Sequence, residues 1–225
     1  MVEAYNRRRL LGALMVATGG AGLASCSGMR RNSPFWGTVT NYRPREQSDE
    51  VIRAYAAGLP YASMLFWFDG QSKALTVLSR AEPDERFVWY TAEKTAITTF
   101  GPFIVGTAGT DVELRATEFG PGWSTDVRTL IGKTLTRGTV AVQRGVEAAA
   151  TLVSRFSDTG MTEVEILGLK KPAQRIDETV IAEGRVRLRN SYWIDPATGD
   201  SLKSRQQVIP TMPPINTAVL KRANA

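Results

Sequence analysis

The chain has 225 residues, with 28 Lys or Arg against 22 Asp or Glu, one cysteine and no histidine. Lacking histidine, it cannot build Ser-His-Asp or Cys-His nucleophile sites or histidine-ligated zinc. Its net charge of +6 is far below the dense Lys/Arg stripes of nucleic-acid binders, so no nucleic-acid partner is expected.

In chain order, Arg7, Arg8 and Arg9 form a basic segment, and Leu10 to Gly22 an apolar run rich in Ala and Gly. Leu23-Ala24-Ser25-Cys26 then places small residues directly before the only cysteine. This looks like a bacterial lipobox. A signal peptide over 1–25 is expected to be cut before Cys26, whose thiol is diacylated and whose new amino terminus takes a third chain. The apolar run is shorter than the ~20 residues that cross a bilayer and is diluted by Gly12, Thr18, Gly19, Gly20 and Gly22. Each buried CH₂ adds ~0.8 kcal/mol of membrane affinity, so acyl chains on Cys26 hold the protein at the membrane surface. Ser27, standing where Asp would signal inner-membrane retention, favours the outer membrane. Arg8-Arg9-Leu10-Leu11 has twin-arginine character without the complete motif, which leaves the export route open. Cleavage removes three Arg and one Glu, taking the charge from +6 to +4 over the remaining 200 residues.

Residues 26–48 mix Arg, Pro, Ser and isolated aromatics such as Phe35 and Trp36, as a tether does. Ser48 or Asp49 can cap a short helix over Glu50 to Ala57, with Val51, Ile52, Tyr55 and Ala56 on one face and Gly58 and Pro60 ending it. From Tyr61 the pattern changes to period two. Strands are predicted at Tyr61–Phe68, Ala74–Ser79, Arg86–Thr91, Thr95–Phe100, Phe103–Gly106, Val112–Thr117, Leu135–Gln143, Ala150–Asp158, Met161–Leu169, Gln174–Glu183, Val186–Ile194 and Leu202–Pro210. The fold class is therefore mainly β: a single antiparallel domain over 49–225, either a sandwich or a strongly curved, barrel-like sheet, with one short N-terminal helix. Within Thr162 to Leu167, Val164 and Ile166 share one face and Glu163 and Glu165 the other. Asp195 to Asp200 reads as a hairpin turn in which Gly199 takes positive φ.

Trp67 and Trp89 sit in apolar runs and are assigned to the core. Trp123, in Gly120-Pro121-Gly122-Trp123, is a loop aromatic that divides evenly between packing and sugar stacking. With it, Tyr192, Asp195, Lys203, Arg205 and Gln206 are the candidate residues for binding a protein partner or polysaccharide. The competing account has Asn190 and Gln206 satisfying buried backbone groups and Asp195 capping its turn. Asp111 and Glu113 share a strand face and read as solvated charge rather than an acid–base pair. No catalytic residue, metal or cofactor is assigned.

Three stretches carry a resemblance. They are Gly58 to Ser63, the run Phe100-Gly101-Pro102-Phe103-Ile104-Val105-Gly106-Thr107-Ala108-Gly109, and Asn190-Ser191-Tyr192-Trp193-Ile194-Asp195-Pro196-Ala197-Thr198-Gly199 with Lys203 to Pro210. In this order, after a lipobox, they resemble the YjbF/GfcB family of capsule lipoproteins. The resemblance implies a mostly-β periplasmic lipoprotein anchored in the outer membrane and needed for making or exporting capsule or exopolysaccharide. It implies no known reaction, and it makes envelope proteins of an export system the expected partners. The non-catalytic expectation leaves two alternatives: a histidine-independent polysaccharide-modifying enzyme and a lipid or lipoprotein carrier. The chain departs from the family pattern at Pro102 and Thr110, where a basic residue and Leu are usual.

Overall fold

In the computed structural model, which describes residues 48–182, 184–210 and 212–223, the first element is helix α1 (Asp49–Gly58). The expected lipobox with Cys26 and the expected tether through residue 47, with Phe35 and Trp36, lie outside the described residues. The Ser48 hydroxyl caps the helix by accepting the Val51 N–H at 3.4 Å, and Asp49 and Glu50 sit in its first turn, where the helix dipole favours negative charge. Ile52 and Ala56, four residues apart, are the buried stripe. Val51, expected on that stripe, is exposed because it lies about 100° around the helix from Ile52.

Twelve strands follow: β1 (Ser63–Phe68), β2 (Ala74–Ala81), β3 (Arg86–Thr91), β4 (Ala96–Phe100), β5 (Phe103–Ala108), β6 (Val112–Phe119), β7 (Thr134–Gln143), β8 (Val146–Ile166), β9 (Leu169–Ala182), β10 (Val186–Ile194), β11 (Ser201–Gln206) and β12 (Ile215–Lys221). They form one antiparallel sheet in the order β5-β4-β3-β2-β1-β12-β11-β10-β9-β8-β7-β6. β12 returns to pair with β1. The seam of this nearly closed, barrel-like sheet therefore falls in mid-chain, between β5 and β6. Of the two β architectures open to the sequence, the structure takes the barrel.

Two predicted strands, Ala150–Asp158 and Met161–Leu169, are one strand, β8, bulged between Asp158 and Gly160. The Asp-Thr-Gly stretch reads as a turn, but β9 runs unbroken opposite it and needs only one extra residue accommodated. The turn comes later, at Leu167-Gly168, with both residues at positive φ (48° and 74°). Leucine is held there because its side chain is buried and its carbonyl accepts the Arg53 guanidinium. Val164 and Ile166 are buried and Glu163 and Glu165 exposed, as the alternation requires. The predicted strand Leu202–Pro210 ends at Gln206, and β12 carries no sequence expectation.

The outer face of β1 and β2 is covered by α1 and by the tip of the β8–β9 hairpin. Ile52, Leu59, Leu65, Leu75, Val164 and Ile166 make one cluster there. Inside, Met64, Phe66, Trp89, Ile97, Ile104 and Leu114 make a second cluster, and Phe103, Phe156, Ile176 and Tyr192 belong to a third. β5 separates these two, with Ile104 facing one and Phe103 and Val105 the other, which is why its sequence is a continuous apolar run.

Side chains seal the seam where no ladder forms. The Gln206 amide oxygen accepts the Ile104 N–H at 3.2 Å and its NH₂ donates to the Pro102 carbonyl at 2.6 Å, so Gln206 pairs with β5 as a neighbouring strand would. The Thr107 hydroxyl accepts the Leu114 N–H from β6 at 2.9 Å. The turn into β5 needs Gly101, at φ 53°, where a Cβ would sit 2.8 Å from the Thr125 carbonyl oxygen.

Candidate functional site

The barrel interior holds two of the sequence-nominated residues. Tyr192 is fully buried and donates to Glu178 Oε2 at 2.6 Å, and the Asn190 amide donates to the same oxygen at 2.8 Å. Burial, then the Glu178 charge, pushes the Tyr192 phenol well above its usual pKa. Arg137 on β7 completes the group, with Nη1 3.0 Å from Glu178 Oε1, a charge contact without hydrogen-bond alignment. Gln206 is the β5 partner described above, the backbone-satisfying role weighed for it in the sequence. Neither residue presents a surface to a polymer.

Trp123 is half-buried. Its indole N–H donates to the Thr136 carbonyl at 2.8 Å, its ring packs against Phe103, Phe119 and Phe156, and the Arg137 guanidinium lies 5.2 Å from its centroid. Asp195 caps its turn by accepting the Ala197 N–H at 3.0 Å and pairs with Arg222 at 2.5 Å. The Ala197 N–H first, then Arg222, holds its carboxyl below the usual range against the opposing effect of burial. Gly199 closes that turn at φ 82°.

The remaining candidates, Lys203 and Arg205, meet on the outer face. Strand register aligns Arg175, Trp193 and Lys203 across β9, β10 and β11, and in the next row Asp177, Ser191, Arg205, Asn216 and Trp67 across β9 to β12 and β1. Trp193 lies between two cations, with Arg175 and Lys203 each 5.6 Å from its centroid. Arg175 is paired with Asp177 at 2.8 Å, and Arg205 with Asp69 at 2.6 Å. Burial works to raise the Asp69 carboxyl, but hydrogen bonds from Arg205 and Asn216 hold it below the usual range. Lys73, just before β2, lies 5.9 Å from the Trp67 centroid. Among the described residues, neither Lys73 nor Lys203 has a carboxylate within ion-pair distance.

Trp67 and Lys73 also line a cleft of about 670 Å³ at one mouth of the barrel, within the size range of ligand sites. Its polar lining includes Glu93, Thr95, Thr110 and Asp111. The sequence nominated neither Lys73 nor Arg175; Trp67, assigned to the core, is half-buried and packs against the Leu65 and Leu75 cluster while also lining the cleft. Trp193 and Lys203 share an outward parity across the Asp195–Asp200 hairpin, a signal the sequence does carry. Arg175 becomes visible only with the β9 register.

Burial, then the Lys73 charge, pulls the Lys203 ammonium below its usual pKa, with Glu165 opposing. Lys73→Gln is therefore expected to raise the Lys203 pKa. NMR titration of the lysine side-chain carbons checks this, and an unmoved Lys203 would mean the two ammonium groups do not interact. Among the described residues, no acidic or thiol cluster is arranged to hold a metal ion, and no helix is long and apolar enough to cross a membrane.

Fold and site together define a filled β-barrel whose outside carries a cation–aromatic belt leading to an open cleft. The chain belongs to the family described as group 4 capsule polysaccharide lipoprotein, GfcB or YjbF, which matches residues 34–220. Among solved structures it is similar to the hypothetical lipoprotein YmcC from Escherichia coli K12, with a TM-score of 0.69 and 24% identity over 80% of this chain and 92% of that one. That likeness is one of fold. No curated protein matches significantly.

Proposed function

We propose that the protein is a periplasmic lipoprotein, anchored in the outer membrane through Cys26, that serves capsule or exopolysaccharide production or export as a non-catalytic binding or scaffold component. In this reading residues 1–25 are the signal peptide, 26–48 the lipidated cysteine and tether, and 49–225 the functional domain. The partners are envelope proteins of the export system and the polysaccharide itself. The observation that supports the reading is the belt of Trp193, Arg175, Lys203, Trp67 and Lys73 on the outer face of the barrel.

The test compares cell-associated and released polymer in a deletion strain complemented with the wild-type gene or with Cys26→Ala. Polymer is expected to be lost in the deletion and restored only by the lipidated form. Normal amounts in every strain would refute the reading. Polymer incubated with the purified protein is expected to keep its length, and shortening would instead assign carboxylates such as Glu93 and Asp111 an enzymatic role.

A further inference from the structure

We propose that the rim formed by Trp67, Lys73, Trp193 and Lys203 binds an acidic saccharide, with a sugar ring on the Trp67 indole and its carboxylate between the two ammonium groups. This deepens the reading above, on which it rests, by naming the chemistry of the ligand.

The first argument is charge left over. Arg175 and Arg205, the neighbouring cations of the belt, are each engaged by an aspartate. Lys73 and Lys203 instead lie against indoles, and their charges act on each other. Lys203 is half-buried, and burial together with the Lys73 charge outweighs the opposing Glu165 carboxylate, so an anion supplied from outside the chain would favour its charged form. An anion placed between the two would relieve both the repulsion and the lost hydration, and its hydrogen bonds would be charge-assisted.

The second argument is the lining of the cleft. Trp67 and Lys73 belong to it, so the anion position borders a space whose lining combines the aromatics Trp67, Phe66 and Phe68 with the polar Thr95, Thr110, Glu93 and Asp111. Sugars present just this pair of surfaces: C–H edges that suit the negative face of an indole, and hydroxyls that donate to carboxylates and threonines. Glu93 and Asp111 also repel a closely spaced polyanion. The geometry thus favours a polymer with acidic groups separated by neutral sugars over an acidic peptide, which has no ring to stack.

The mature full-length lipoprotein in detergent micelles is titrated calorimetrically with a hyaluronan hexasaccharide, in which carboxylated and neutral sugars alternate. Maltohexaose and poly-L-glutamate are run in parallel. Hyaluronan is expected to bind and to weaken with added salt. Lys73→Gln and Lys203→Gln should each weaken it about tenfold or more. Lys133→Gln, an exposed control away from the belt, should not. Absence of hyaluronan binding, unchanged binding by both belt variants, or equal binding of poly-L-glutamate or maltohexaose would overturn the assignment. The outcomes separate from those in cells. Binding lost in the variants with polymer output independent of the gene sinks the cellular reading alone, whereas unchanged binding with output lost on deletion sinks the site alone.

Discussion

The substitution Glu178→Gln is expected to cost about 3–5 kcal/mol of folding stability, the range for breaking a buried ion pair on one side. Glu178 is wholly buried and Arg137 nearly so, at 0% and 6% side-chain exposure. Glutamine keeps an oxygen for Tyr192 and Asn190, so the change isolates the charge. Arg137 would then be a buried cation set against the Trp123 ring, a contact worth about 2 kcal/mol or more when desolvated and less than the pair it replaces. In the double variant Arg137→Met with Glu178→Gln neither charge is buried, and most of the loss should be recovered. Urea midpoints at unchanged m-value measure both. If the double variant is as unstable as the single, the pair is not what holds this part of the interior.

Gln206→Leu is the second large effect. Leucine fills similar volume but leaves the Ile104 N–H and the Pro102 carbonyl without the partners they have at 3.2 and 2.6 Å. Each buried group left unsatisfied costs about 1–3 kcal/mol, so the loss should be about 2–6 kcal/mol. It should also be local. β5 has β4 on one side and only side chains on the other, so amide exchange at Ile104 and its neighbours should accelerate well beyond the change in global stability. Exchange at Ile104 that merely follows global unfolding would show that Gln206 does not hold the seam.

Much of the architecture was legible because its signals are local. Arg86–Thr91 and Val186–Ile194 coincide with β3 and β10, and Ser48 caps α1 with its own hydroxyl. Alternation of Val164 and Ile166 with glutamates places their faces correctly. β12 escaped for the opposite reason. Its residues 215–218 are buried in unbroken succession, because it lies between β1 and β11 with both faces covered, so no period of two survives. The bulge in β8 escaped because Asp-Thr-Gly has turn composition, and only an uninterrupted partner reveals it as a continuing strand.

The candidate site divides along the same line. Lys203 and Arg205 are nominated as polar groups of the motif that carries the resemblance, and the hairpin register puts them on one face with Trp193. Tyr192 and Gln206 come from the same motif, but alternation turns them inward, and the groups they meet lie far off in sequence: Gln206 and Ile104 are 102 residues apart. By itself the sequence determined the histidine-free composition, the β class and the family, since each is written in composition or in short ordered stretches. Only the tertiary structure decided that the sheet closes as a barrel, that Gln206 seals its seam, and that Lys73 reaches the belt. Each of these depends on the register of strands distant in the chain, and register is set by which faces find a core to cover.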